Sequence, residues 1–143
     1  MNSLHPLVRI KEHMGIFAKK DIGAGQAIFH YFLAGVFMFL LVRYLTKSHL
    51  AGIFSGVAYM LSGFLVGHAS HVGMQNTAAW LPLLVLFLFL TLERGRVIFA
   101  AFFGLFLSFA FLAGHFQTFL YSFFLLGLIF IYKIIVGRRE LIN

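Results

Sequence analysis

Residues 97–136 read VIFAAFFGLFLSFAFLAGHFQTFLYSFFLLGLIFIYKIIV, and Lys133 is the one charged side chain in this stretch. An apolar helix needs about 20 residues to cross a bilayer, so the stretch is far too long for a single crossing. Gly114-His115 interrupts it near the middle, where we predict a tight reversal of the chain. Because backbone polar groups in lipid must pair within their own segment, we predict two helices, at 97–113 and 116–136.

Three more apolar segments precede this stretch, at residues 26–45, 49–68 and 78–92. The chain has 143 residues, of which 10% are charged, whereas about a quarter of a soluble domain is charged. The sequence therefore predicts an all-α, polytopic transmembrane bundle of about five helices and excludes a soluble enzyme. Because the chain has no cysteine, it also excludes a disulfide framework and a cysteine-ligated zinc site.

The chain is predicted to have three parts. Residues 1–24 form a membrane-surface segment, in which one apolar stripe is made by residues spaced three or four apart, namely Leu7, Ile10, Met14 and Phe17. We predict an amphipathic helix that lies on the bilayer, with a disordered tail as the alternative. Gly23 and Gly25 are the predicted hinge into the bundle, which spans residues 25–137, and residues 138–143 are a basic tail.

The basic residues predict the orientation of the bundle in the membrane. With the N-terminus outside, four of the 11 basic residues lie in the surface segment. The inner side then holds the other seven: Arg43, Lys47, Arg94, Arg96, Lys133, Arg138 and Arg139. We therefore predict a bacterial plasma-membrane protein with the N-terminus outside and the C-terminus inside. The bilayer accounts for the net charge of +7, and no nucleic-acid partner is expected.

Two polar clusters lie at the predicted outer ends of the helices. The candidate binding residues in them are His68, His71, Gln75, Asn76, His115, Gln117 and Tyr121. Neutral imidazole and amide groups donate and accept hydrogen bonds in fixed geometry, as recognition of sugar hydroxyls or a phosphate requires. The alternative is that they are the hydrated ends of helices. A haem ligated by two histidines, His30 among the candidates, and a zinc half-site at His68 and His71 are weaker alternatives, and we expect no metal or cofactor.

Four glycines form a stripe on the second segment: Gly52, Gly56, Gly63 and Gly67. Small residues on one stripe allow a second helix to approach closely, which is a common basis of helix packing in lipid. We therefore predict that the second helix is buried in the bundle and does not face lipid.

Four sequence motifs together resemble a known family. They are AYMLSGF at 58–64, GHASHVGMQN at 67–76, AWLPL at 79–83 and GHFQTFLY at 114–121. In this combination, over roughly residues 30 to 133, the chain resembles the bacterial YfhO family of membrane proteins, which are similar to GT-C type glycosyltransferases. The resemblance implies transfer of a sugar from a polyprenyl-phosphate donor to a cell-surface acceptor on the outer face.

The same resemblance implies an acidic catalytic base on an outer loop that follows an earlier transmembrane helix. Asp21 is the one aspartate of the chain and matches no motif of the family. We therefore expect a fragment, whose partners include the missing N-terminal and C-terminal parts of the same protein. The alternative function is a non-catalytic membrane subunit or a small transporter, in which the polar residues form an outer vestibule.

Overall fold

The structure is a computed structural model that describes residues 6–68 and 71–140, with side chains described for 25–68 and 71–136. All secondary structure in these ranges is helical. The helices are α1 Pro6–Thr46, α2 His49–Met60, α3 Gly63–Gly67, α4 Val72–Ala79, α5 Leu81–Arg94, α6 Val97–Leu112 and α7 Phe116–Glu140. The predicted all-α helical bundle is therefore confirmed.

Within the described part of the chain, four helical stretches are long and apolar enough to cross a membrane: Gly25–Thr46, His49–Gly67, Val72–Arg94 and Phe116–Val136. A fifth apolar helix, Val97–Leu112, is shorter. The second stretch consists of α2 and α3, which are separated at Leu61 and Ser62, and the third consists of α4 and α5, which are separated at Trp80. Pro82 accounts for the second interruption, because proline lacks an N–H group and fits the first turn of a helix such as α5.

α1 runs through the boundary predicted between the surface segment and the bundle. The helix is continuous from Pro6 to Thr46, so the hinge predicted at Gly23 and Gly25 is absent. A glycine inside a helix costs only about 1 kcal/mol relative to alanine, which does not end a helix of this length. The side chains of residues 1–24 lie outside the described part of the chain, and their position on the membrane surface stays a prediction. α7 continues to Glu140, so the predicted tail begins as helix, while residues 141–143 lie outside the described part.

The third membrane-length stretch forms the centre of the bundle. In the most apolar 18-residue segment of Val72–Arg94, 61% is buried. The corresponding share is 17% in each of the first two stretches and 11% in the last. The main core cluster is built largely from α5, with one residue each from α1, α6 and α7: Leu41, Leu83, Leu84, Val85, Leu86, Leu88, Ala110 and Leu126. α1, α6 and α7 therefore pack around α5, while much of the apolar surface of the first, second and last stretches faces outward.

The prediction that the second helix is buried is wrong. Leu50 and Phe54 of α2 are 80% and 78% exposed, which suits a surface that contacts lipid. The glycine stripe packs along half of its length only. A Cβ atom on Gly56 would lie 2.7 Å from the carbonyl oxygen of Gly35 on α1, whereas a Cβ on Gly63 would meet nothing within 4 Å. Of the four stripe glycines, Gly52 and Gly56 on α2 therefore lie in close contact with α1, whereas Gly63 and Gly67 on α3 do not.

The connections between helices gather at two ends of the bundle. We call one the arginine end, which comprises residues 43–48, residues 93–97 and Lys133. There the Glu93 carboxylate lies 2.7 Å from Lys133 Nζ and accepts a hydrogen bond of 2.6 Å from the Tyr44 hydroxyl. We call the other the histidine end, which comprises residues 67–76 and 112–118. There α4 contacts the turn before α7, because a Cβ on Gly73 would lie 3.4 Å from the Ala113 carbonyl oxygen.

Candidate functional site

α4 places two of the predicted binding residues in an unexpected position. Gln75 and Asn76 lie inside this helix with 0% and 4% of their surface exposed, so their predicted position in an outer loop is wrong. The segment 72–79 has too few large apolar residues to resemble a membrane helix. It is helical because Gly73, Ala78 and Ala79 allow it to pack closely within the bundle.

Two hydrogen bonds from tyrosines support this region. The Tyr59 hydroxyl of α2 donates to the Ala78 carbonyl oxygen at 2.9 Å. An α-helical donor for that carbonyl would be the N–H four residues later, at Pro82, which proline lacks. The Tyr31 hydroxyl of α1 likewise donates to the Leu65 carbonyl oxygen at 2.8 Å. The two tyrosines therefore fix α3 and α4 against the first two helices of the bundle.

The buried amides of α4 have polar atoms without a protein partner. Gln75 Oε1, Gln75 Nε2 and Asn76 Oδ1 are buried, and none of them is hydrogen-bonded. Leaving a buried polar group unpaired costs about 1–3 kcal/mol. Folded proteins seldom keep such groups, which usually bind ordered water, a ligand or a partner. These three atoms therefore mark α4 as a candidate binding element.

Asn76 opens onto a cleft of about 410 Å³ at the histidine end. We call it the Trp80 cleft, and its lining residues come from α1, from α4 with the Trp80 that follows it, and from the end of α6: Gln26, His30, Asn76, Trp80, Phe109, Leu112 and Ala113. We call its three polar residues, Gln26, His30 and Asn76, the polar wall, and its four apolar residues the aromatic wall. This combination is typical of ligand sites in which a few polar groups orient a ligand against an apolar surface.

The indole of Trp80 is held between rings of neighbouring helices. Its ring centroid lies 5.4 Å from that of Phe37 on α1, and 5.9 Å and 5.5 Å from those of Phe106 and Phe109 on α6. On the polar wall, His30 Nδ1 lies 2.9 Å from the Gln26 carbonyl oxygen. When Nδ1 donates this bond, Nε2 of the neutral ring is left as the acceptor.

The two histidines between α3 and α4 form a pair outside the cleft lining. His68 ends α3, and its Nδ1 lies 2.8 Å from the Phe64 carbonyl oxygen. His71 precedes α4, and the two imidazole centroids are 6.1 Å apart. Among the described residues, no three His, Asp or Glu side chains come together as metal ligands would. Ser70, also part of the predicted polar cluster, lies outside the described residues.

His115 has a structural contact that its sequence position did not reveal. It precedes the first residue of α7, and its Nδ1 accepts a hydrogen bond of 3.2 Å from the backbone N–H of Thr118. The Thr118 hydroxyl lies 2.7 Å from the same nitrogen. This is the position and bonding of a residue that caps the N-terminus of a helix.

Gln117 and Tyr121 are joined to each other and lie away from the Trp80 cleft. The Gln117 amide donates to the Tyr121 hydroxyl at 2.8 Å, as predicted from their spacing on one helix face. Both side chains are exposed, while Thr118 and Ser122 on the neighbouring positions of α7 are buried. The structure therefore brings only Asn76 of the seven predicted residues to the cleft wall, and it adds Gln26, His30 and Trp80.

The sequence carried weak signals for the added residues. His30 is an imidazole inside an apolar helix, which makes it a candidate haem ligand from the sequence. Gln26 appeared only as the polar start of the first apolar segment. Neither has a spacing relation to Asn76, because the cleft brings together residues that are far apart in the chain.

Comparisons with known proteins identify no relative. No protein-family model, curated protein or solved structure matches this chain. The resemblance to the YfhO family therefore stays a prediction, and a function for the chain has to be argued from the geometry of the Trp80 cleft.

Proposed function

We propose that this chain is part of a membrane glycosyltransferase and that the Trp80 cleft holds the sugar of a polyprenyl-phosphate donor. The observation that carries the proposal is that Asn76 lines an open cleft while its buried Oδ1 has no hydrogen-bond partner. An amide oxygen needs a hydrogen-bond donor, and a sugar hydroxyl provides one. The aromatic wall at Trp80 suits the apolar face of a sugar ring or the first part of a lipid chain.

The distribution of charge supports a neutral ligand group in the cleft. None of the lining residues is lysine or arginine. The cationic side chains that the structure describes are all at the arginine end: Arg43, Lys47, Arg94, Arg96 and Lys133. A phosphate generally binds to lysine, arginine or helix N-termini. We therefore assign the sugar to the cleft and place the phosphate outside it.

The same charge distribution supports the predicted orientation. Positive residues accumulate on the cytoplasmic side of membrane proteins, so the arginine end is proposed to face the cytoplasm and the Trp80 cleft the outer surface. Because the chain has no cysteine, single-cysteine variants test this directly. We expect a membrane-impermeant maleimide to label His71→Cys on intact cells and to leave Arg96→Cys unlabelled. The reverse pattern would contradict the proposal.

Trp80 provides a direct assay of ligand binding, because it is the single tryptophan of the chain. A polyprenyl phosphate that carries a hexose, added to the protein in detergent, is expected to change the indole fluorescence more strongly than the same lipid without the sugar. Asn76→Leu should weaken binding about tenfold through the loss of one hydrogen bond. Gln117→Leu, which removes an exposed amide at the same end, is the matched control and should bind as the unmodified chain does. Equal affinity for both lipids would contradict the proposed sugar site.

A non-catalytic subunit is the second candidate function, and the location of the carboxylates favours it. Among residues with described side chains, Glu93 is the one carboxylate, and it lies at the arginine end. Inverting sugar transfer requires a base near the acceptor hydroxyl. We therefore expect the isolated chain to bind the glycosylated lipid without transferring its sugar. Transfer of a radiolabelled sugar to a cell-surface acceptor by this chain alone would favour the enzyme over the subunit.

A further inference from the structure

We propose that a second cleft, near the arginine end, binds one acyl chain of an anionic phospholipid. The cleft lies between α5, α6 and α7 and has a volume of about 290 Å³. We call it the Gly127 cleft, and its lining residues are Leu88, Thr91, Leu92, Phe103, Phe123, Leu126, Gly127 and Phe130. It shares no residue with the Trp80 cleft, and the proposal is independent of any role in sugar transfer.

The chemistry of the lining selects a hydrocarbon. Thr91 is the one polar side chain in it, and its hydroxyl already donates to the Phe87 carbonyl oxygen at 2.7 Å. An occupant therefore finds no unsatisfied side-chain polar group to bind. The volume lies at the lower limit of pockets for drug-sized ligands, which begin at about 300 Å³. A single lipid chain suits both the size and the polarity.

The depth of the cleft matches the acyl region of a lipid whose headgroup lies at the arginine end. Leu92 directly precedes Glu93, and Phe130 lies three residues before Lys133, to which Glu93 is joined. At a rise of about 1.5 Å per residue, the lining of α7 begins roughly one turn from Lys133 and extends for two further turns. Phe123 and Phe130 are 54% and 42% exposed, so the cleft is open to the surrounding lipid.

The charge of the arginine end selects an anionic headgroup. Glu93 is already paired with Lys133, so the remaining cations there give this end a net positive charge. Arg96 is exposed and immediately precedes α6, which supplies Phe103 to the cleft. Basic residues beside clefts between transmembrane helices are a common basis for binding anionic lipid headgroups. Arg96 is therefore the residue that we assign to the phosphate.

Native mass spectrometry of the intact chain tests the occupant. The chain is released from micelles that contain equal amounts of phosphatidylglycerol and phosphatidylcholine with identical acyl chains, and we expect at least threefold more retained phosphatidylglycerol. Gly127→Leu fills the cleft, because a Cβ at this position meets nothing within 4 Å, and should lower retention of both lipids at least threefold. Gly104→Leu on α6 is the matched control, since its Cβ also meets nothing within 4 Å and it does not line the cleft. This variant should retain lipid as the unmodified chain does.

A second variant separates headgroup recognition from chain binding. Arg96→Gln should abolish the preference for phosphatidylglycerol while leaving the total retained lipid unchanged. Arg43→Gln is its control, since α1 contributes nothing to the Gly127 cleft, and should keep the preference. Equal retention of the two lipids by the unmodified chain would overturn the proposal. A dimer that Gly127→Leu converts to a monomer would also overturn it, because the cleft would then hold a second copy of the chain.

Discussion

The two ends of the bundle differ in how their polar groups are satisfied. At the arginine end, Glu93 on α5 bonds to Tyr44 on α1 and to Lys133 on α7, so one carboxylate joins three helices. At the histidine end, Gln75 and Asn76 are buried without protein partners for three of their polar atoms. This contrast teaches that the arginine end stabilises the fold. The histidine end keeps buried amide groups that no other protein group satisfies, and our proposal assigns the hydrogen-bonding capacity of Asn76 among them to a ligand.

The largest effect is expected from overfilling the contact between the first two helices. Gly56→Leu places a side chain where the Gly35 carbonyl oxygen is 2.7 Å from the new Cβ, and this oxygen is fixed in α1. We expect the free energy of unfolding to fall by about 3 kcal/mol, measured by SDS titration in mixed micelles with circular dichroism. Gly63→Leu, on the part of the second span nearer the histidine end, is the control and should change it little. Equal losses of stability in the two variants would contradict the finding that only the α2 half of the glycine stripe is in close contact with another helix.

Removing the carboxylate tests the arginine end itself. Glu93→Ala should lower the free energy of unfolding by about 2 kcal/mol, because it removes two hydrogen bonds to an ionised group that is partly screened by solvent. The side chains of Lys133 and Glu93 are 33% and 40% exposed, which keeps the effect moderate.

A double variant provides the control for this network. Lys133→Met together with Glu93→Ala should be less destabilising than Glu93→Ala alone, since no unpaired cation is left near the lipid. Purely additive losses in the same SDS titration would show that the two residues do not interact.

Removing a buried polar group at the histidine end is expected to raise the free energy of unfolding, whereas removing Glu93 at the arginine end lowers it. Gln75→Leu removes a fully buried amide whose oxygen and nitrogen both lack a partner, so the free energy of unfolding should rise by about 1 kcal/mol. Thermal unfolding in detergent measures the change. Gln117→Leu, at an exposed amide of the same end, should be nearly neutral. Destabilisation by Gln75→Leu would mean that the amide supports the fold, and the contrast between the two ends would not hold.

The smallest effect is expected at the cap of α7. His115→Ala should lower the free energy of unfolding by about 0.5 kcal/mol through loss of the bond to the Thr118 N–H. His115→Asn should restore it, because asparagine is among the best residues at a helix N-cap. If His115→Ala also weakens lipid binding and His115→Asn restores it, His115 acts by positioning α7. A loss in both variants would instead assign the imidazole to the ligand.

Apolar length predicted most of the fold. The reversal at Gly114-His115 and the polar breaks near residues 47 and 95 lie between the observed helices, because long uncharged stretches can cross lipid only as helices. The prediction failed for α4, whose residues are small and polar. Its helix depends on close packing within the bundle, which hydropathy does not record.

The candidate site was less predictable than the fold. Asn76 was identified from its residue type, but Gln26 and His30 reach the same cleft from α1, and Trp80 reaches it from the junction of α4 and α5. The pairing of Gln117 with Tyr121 was predictable because residues four apart share a helix face. Contacts between residues distant in sequence, such as that of Tyr59 with the Ala78 carbonyl, have no such local rule.

The sequence by itself determined that this is an apolar helical chain suited to a bilayer, with histidines and arginines placed in alternate bends. Local hydropathy is sufficient for that, because each helix must satisfy its own backbone in lipid. Only the tertiary structure decided which helix is central, which glycines are in contact and which polar groups are buried without partners. Those properties depend on how the faces of separate helices meet, and α5 occupies the centre because three other helices pack around it.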